Sequence, residues 1–378
     1  MERCVIIMKK KFLCFAILSI MVLNCVGCES NKKSKEAVTH ETIAYAVKQS
    51  GTCNVSIEPK IELLAVVQYI ADDPTILRKN LSEDDQKYSD DISKYFSKYK
   101  DEPVVSLYKE MMKNGFSYST PPETMLYVDN NLKLLNNLTL PQIAITSSGG
   151  KETLLKFFDL LADFRKKTKF DEFYISHTNF YNNIVSNVKN RIDKIGCIEA
   201  LINYYGYKQN SYNFIIEPLS IGGYAARVPS KDGKFDLYDF MVIPEDDKEF
   251  FQLVIHEFGH SYVNPLTEQN INEVNKYKNL FTDIKEDMSK QQYGSWDYCV
   301  NEHIIRAVAY RALYSSYGAN VSQDYINRDT ANKFIYIEEI SEKLKEYESN
   351  RDKYPTFNDF YPRLLDGFKD LSNKEPTN

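Results

Sequence analysis

The chain has 378 residues, with 47 Lys and Arg against 53 Asp and Glu, a formal charge of −6. An acidic balance of this kind argues against nucleic acid as a partner. Hydrophobic content of 43% and charged content of 26% are ordinary for a globular protein, and the length admits one large domain or two small ones.

At the N-terminus, Lys9, Lys10 and Lys11 precede an apolar run from Phe12 to Leu23. A charged segment followed by an apolar stretch too short for a comfortable membrane span predicts an export signal. The run leads to Cys25-Val26-Gly27-Cys28, where a small residue before a cysteine resembles a bacterial lipobox. We expect a signal peptide over residues 1–27 and lipidation at Cys28, with export to the cell envelope and a lipid anchor in the membrane. Loss of residues 1–27 removes four basic residues and one acidic residue, so the charge moves from −6 to −9. Residues 28–50 are polar and read as a tether. Beyond Cys28 only Cys53, Cys197 and Cys299 remain, which is no disulfide framework, although one bridge among them is possible.

The next stretch reads as mostly helical. Ile61, Leu63, Leu64, Val67 and Ile70 have helical spacing, and Asp72-Asp73-Pro74 stops that helix. Further helices are predicted over residues 90–99, 103–113, 122–135, 151–170, 171–192 and 195–205. The pattern then changes to β-rich segments at 211–219, 224–228 and 236–243, with Asp232-Gly233 as a hairpin signal. After the small sheet come a helix through residue 264 and others at 268–290, 296–317, 330–347 and 356–371. The fold class is therefore α+β and predominantly helical, with a helical N-terminal lobe over 51–208 and a second lobe over 209–375.

The helix after the sheet carries His256-Glu257-Phe258-Gly259-His260. Two histidines four residues apart project from one helix face and can grip one zinc ion. Glu257 then sits beside the metal, placed to take a proton from water as general base. Pro265 is expected to end this helix.

A catalytic zinc usually takes a third protein ligand. A third histidine at the metzincin spacing is missing, because Val263 and Leu266 stand at the Gly and His positions. Glu302 is the best candidate. It lies in an apolar segment from Cys299 to Leu313, and a carboxylate on a buried helix needs a compensating partner. The other role open to Glu302 is an ion pair with Arg306, one turn on, and the two roles can coexist. Glu286, the rival by position, has polar helical neighbours and should face water. His303 points about 100° away from Glu302. It reads as a core histidine or a group across the site. His177 reads as a satisfied helix histidine. Tyr224, Tyr298 and His303 are candidate oxyanion donors, although tyrosines in such positions more often pack than react.

The run His256 to Pro265, followed by Asn301-Glu302-His303 and Arg306-Ala307, resembles the gluzincin group of metallopeptidases. More narrowly it is similar to a bacterial family catalogued as a domain of unknown function, DUF4932, over roughly residues 55–370. Ile61-Glu62-Leu63-Leu64 and Tyr95 to Lys100 resemble that family as well. The resemblance implies a zincin-like catalytic lobe in which the sheet precedes the active-site helix and its edge strand lines the cleft. It implies His256, His260 and Glu302 as zinc ligands and Glu257 as general base. Arg306 stands where many gluzincins have an Asp that supports a ligand histidine.

The function expected is a lipid-anchored zinc metallopeptidase with one Zn2+ per chain, acting on a peptide or protein substrate. The alternatives are a surface binding lipoprotein with a structural or inactive zinc site, and a zinc hydrolase of a non-peptide amide such as a cell-wall component.

Overall fold

Five short strands make one mixed sheet: β1 (Ala46–Ser50), β2 (Cys53–Ile57), β3 (Ser211–Ile216), β4 (Tyr224–Pro229) and β5 (Phe235–Met241), in the order β1-β2-β3-β5-β4. The computed structural model describes residues 46–50, 53–76, 82–220 and 223–373; the export signal and Cys28 lie outside them. β2, β3 and β5 run parallel, while β1 and β4 are antiparallel edges. The fold is α+β and mostly helical, as the hydrophobic periodicities imply.

Neither β1 nor β2 is foreseen from the sequence. β1 falls in the segment expected to be tether, and β2 opens the expected helical lobe. The parallel pairing Cys53↔Tyr212 to Ser56↔Ile215 makes the whole helical stretch between them a crossover connection from β2 to β3. Both expected lobes therefore share one sheet, and Ile43–Asn378 is one compact unit.

Within the crossover, the helix Pro59–Ile70 starts with Pro at its first position and is buried on nearly every side. The helix Glu83–Phe96 begins earlier than expected because Ser82 caps it, accepting from the Asp85 amide at 3.2 Å, with three acidic residues in its first turn. Two expected helices are interrupted. Residues 122–135 form only a short helix, Thr120–Thr124, and a 3-10 turn, Met125–Tyr127. The Asp129 carboxylate then accepts from the Asn131 and Lys133 amides, folding a turn that the bridge Val128↔Leu134 closes. The expected helix 171–192 breaks at His177, separating Phe170–Ser176 from Thr178–Ile195. Ser176, His177 and Thr178 side chains all bond carbonyls of the preceding turn, competing with the helical ladder.

The hairpin expected at Asp232-Gly233 is present, with φ of 60° and 70° at those residues. It leads through β5 to the motif helix, Asp247–Gln269, whose N-cap Asp246 accepts from the Lys248 and Glu249 amides. Pro265 does not end this helix. A proline removes one amide and crowds one turn, whereas Tyr262, Val263, Leu266 and Thr267 around it are all buried, and that packing carries the helix to Gln269. The chain then turns at Asn270. The expected helix 268–290 is replaced by Ile271–Val274, a 3-10 segment Asn275–Phe281 and Lys285–Lys290. The helix Trp296–Tyr317 follows as predicted and packs along the motif helix. Cys53, Cys197 and Cys299 are free and buried. No helix of the described residues is long and apolar enough to cross a membrane.

Candidate metal centre

The motif helix is wedged between the sheet and the helix that bears Glu302. On its sheet side, Phe258 meets Tyr212 and Phe214 of β3 edge-on, at 5.5 and 5.1 Å between rings. The Tyr262 hydroxyl hydrogen-bonds that of Tyr212 at 2.5 Å. On the other side Gly259 lets the two helices close up. A Cβ there would lie 3.1 Å from Ile305 Cγ2 and 3.0 Å from the Tyr205 hydroxyl. Ile305 is three residues after Glu302, so this close approach carries the carboxylate to the histidine face.

His256 and His260 have ring centroids 5.1 Å apart. Glu302 reaches both: its Oε2 lies 3.7 Å from His256 Nε2 and its Oε1 3.4 Å from His260 Nε2. One ligand atom from each of the three falls within 4.8 Å of the others, and among the described residues this is the one such group able to hold a metal ion. His256 and Glu302 are buried and His260 is half-buried. Burial, reinforced by Arg306 and His260, holds His256 well below the usual histidine range, which favours the neutral imidazole that ligates.

Arg306 stands behind Glu302 with Nη2 3.2 Å from Oε2, an ion pair without hydrogen-bond alignment, since Oε2 has no hydrogen-bond partner. Its Nη1 donates to Asp329 Oδ2 at 2.7 Å, and its guanidinium lies 4.1 Å over the Phe334 ring. Tyr310 also donates to Asp329. The Tyr293 hydroxyl lies beside Glu302 and Arg306, and burial with the Glu302 charge pushes it up to about 12. Asp329 and Tyr293 are not legible as site residues in the sequence. They come from other segments, and only the packing brings them to Arg306.

Glu257, next to His256, lies on the β4 side of the cluster, within reach of the His260, Glu302 and Arg306 charges. Burial pushes its carboxylate, near the Ala225 backbone, up to about 7, with His260 and Arg306 opposing the rise and Glu302 adding to it. Across from it on β5 is Asp239, wholly buried, with neither oxygen hydrogen-bonded. Burial and the Glu257 charge raise Asp239 well above the usual carboxylate range. Strand alternation marks Asp239 as inward-facing, but nothing in the sequence says that it meets Glu257.

The remaining predicted residues lie outside this cluster. The Tyr224 hydroxyl is engaged by Glu217 at 3.3 Å and its ring stacks on Phe240. Tyr298 is 59% exposed on the first turn of the Glu302 helix. His303 is a core histidine: its Nδ1 meets the Cys299 carbonyl at 2.7 Å, it packs on Phe334 and Tyr336, and burial lowers it to about 4. His177 is satisfied by the Phe173 carbonyl and Asp91, and Glu286 is exposed and paired with Lys290.

Comparison with curated proteins finds no match, and comparison with solved structures finds none. The sequence profile described as a domain of unknown function, DUF4932, matches residues 53–366, a span that takes in both the crossover helices and the metal cluster, and the chain belongs to that family.

Proposed function

We propose that this protein is an exported, lipid-anchored zinc metallopeptidase of the gluzincin type, with His256, His260 and Glu302 as ligands and Glu257 as general base. The observation that carries the reading is the separation of the ligand atoms. One ligand atom from each of His256, His260 and Glu302 lies within 4.8 Å of the others, and the two Glu302 oxygens each approach a different imidazole, Oε2 to His256 at 3.7 Å and Oε1 to His260 at 3.4 Å, a grouping that one zinc ion could draw together. Glu302 Oε2 is buried and lacks a hydrogen-bond donor, as a ligand oxygen would before loading.

A zinc ion held there would polarise the scissile carbonyl and acidify water. Glu257 accepts the proton of the attacking water and passes it to the leaving amine. Arg306 and Asp329 hold Glu302 in place, as outer partners of ligands do. β4 is an edge strand, and the Ala225 backbone lies near Glu257, so an extended peptide added along that edge would lie beside the ligands. Tyr293, beside Glu302, takes the place of Tyr224, Tyr298 and His303 as candidate oxyanion donor.

The test is Glu257→Gln. The variant should bind one zinc as the wild type does and lose cleavage of a peptide pool by roughly 10²–10⁴-fold. Equal cleavage by the two proteins would sink the mechanism. A zinc-loaded wild type that cleaves no peptide would favour the binding lipoprotein, or a hydrolase of non-peptide amides if a cell-wall amide is consumed instead.

A further inference from the structure

Tyr118 combines three properties that packing alone does not explain. Its backbone is left-handed, with φ of 55°, which is costly for a bulky side chain. Its ring is 47% exposed. Its hydroxyl donates to the carbonyl of Gly223, 105 residues on, at 3.0 Å. The segment is anchored from behind by Phe116, which is buried against Tyr108 and Phe157. From there the Tyr118 ring leans on Tyr224, 5.4 Å between centroids, and the Glu257 and Glu217 charges act on its hydroxyl.

The register of β4 gives this contact its meaning. In an antiparallel strand, alternate residues aim their amide and carbonyl at the partner strand or away from it. The Gly223 carbonyl accepts from Tyr118, outside the sheet, so Gly223 aims away from β5, and so do Ala225 and Arg227, two and four residues on. The outward row along the edge therefore begins with the Gly223 carbonyl, and Tyr118 takes it. Next along the edge come the Ala225 amide and carbonyl and then the Arg227 amide.

We propose that Tyr118 is a specificity-determining residue: its side chain closes the β4 edge at Gly223 and limits how far an extended substrate reaches past the metal site on that side. This rests on the peptidase reading for its substrate class. A strand added to the edge can pair at Ala225 and Arg227 but meets the Tyr118 ring at Gly223. Substrates are thus short on one side of the scissile bond and unrestricted on the other.

The experiment measures binding of hydroxamates to the zinc-loaded protein by calorimetry, with acetohydroxamate as baseline. One series carries one to four alanines on the acyl side, and the other carries them from a malonyl hydroxamate in the opposite chain direction. In the wild type, affinity should grow with length in one series and stop growing after the first residue in the other. Tyr118→Asn removes the ring and suits a left-handed backbone. It should restore growth in the blocked series by about tenfold or more for the longest probe, with acetohydroxamate unchanged. Tyr118→Phe keeps the ring and should keep the block. Identical length profiles in the wild type and Tyr118→Asn overturn the proposal, as does a gain spread equally over both series. One-sided discrimination in a wild type that cleaves no peptide supports the wall and sinks the peptidase reading. Failure of acetohydroxamate to bind the zinc-loaded protein overturns both.

Discussion

Gly259→Ala tests whether the proposed metal ligands depend on the close approach of two helices. Gly259 lies mid-helix, where alanine is ordinarily better by about 1 kcal/mol. Here the added methyl would sit 3.0 Å from the Tyr205 hydroxyl and 3.1 Å from Ile305 Cγ2. Favourable carbon contacts begin near 3.5 Å, so about half an ångström must be found. Tyr205 cannot easily give way, because it is wholly buried and stacked on Tyr262 at 4.2 Å. Ile305 is buried as completely. Overpacking of this kind costs about 1–3 kcal/mol, which leaves a net loss of up to about 2 kcal/mol after the helical gain.

The movement falls between the motif helix and the Glu302 helix, the two elements that share the ligand set. Binding sites tolerate about 0.5 Å of displacement before they weaken. We therefore expect zinc affinity to fall about tenfold or more, together with lower stability of the metal-free protein. Urea unfolding with chelator present reads the stability, and competition with a chromophoric chelator reads the affinity. A variant that is more stable by the full helical gain, with unchanged zinc affinity, would refute the close packing and its link to the ligands.

Glu302→Gln should lower zinc affinity by more than the roughly 10–100-fold that outer partners cost; full occupancy at unchanged affinity would remove Glu302 from the ligand set. Cys28→Ser should abolish lipid labelling and release the protein from membranes, and a wild type already soluble with a different first residue would leave only export. Glu62 gives a pH prediction independent of metal. Burial raises it from 4.5 to about 7, partly offset by the Tyr88 hydroxyl. The folded state therefore keeps a proton that the unfolded state releases, and stability is lost as pH rises from about 4.5 through about 7, by about 3 kcal/mol in all. Glu62→Gln carries no such proton, so its stability relative to wild type should climb across that window in urea unfolding at pH 4.5 to 8; a constant difference would show that Glu62 ionises freely.

What the sequence made legible follows from where each signal is stored. His256 and His260 are a local signal, four residues apart on one helix, and Glu302 is nearly local, because a carboxylate inside an apolar helix advertises its need for a partner. The alternation of Cys53-Asn54-Val55-Ser56-Ile57 was also there to be read as a strand, and its burial bears that out at four of the five positions. Its pairing with β3, some 150 residues on, was not, because parallel partners carry no shared turn to set their register. The same long connection explains why Tyr118 was missed. Asp239, Tyr293 and Asp329 lie only 18, 9 and 23 residues from Glu257, Glu302 and Arg306, but each sits on a different element from the group it meets, and no periodicity within an element tells how the next one packs on it.

The crossover also bears on why the family profile extends well upstream of the histidine pair, from residue 53. β2 lies two places from β5 in the sheet and helps set the platform on which the motif helix rests. Between β2 and β3 the chain emits the helices that deliver Tyr118 to the free edge of β4. A fragment starting at β3 would keep all three ligands and Glu257. It would lose two strands of the sheet and the Tyr118 contacts with Gly223 and Tyr224. The three residues able to hold a metal ion all come from the second half of the chain, whereas the surroundings of β4 are built by both halves.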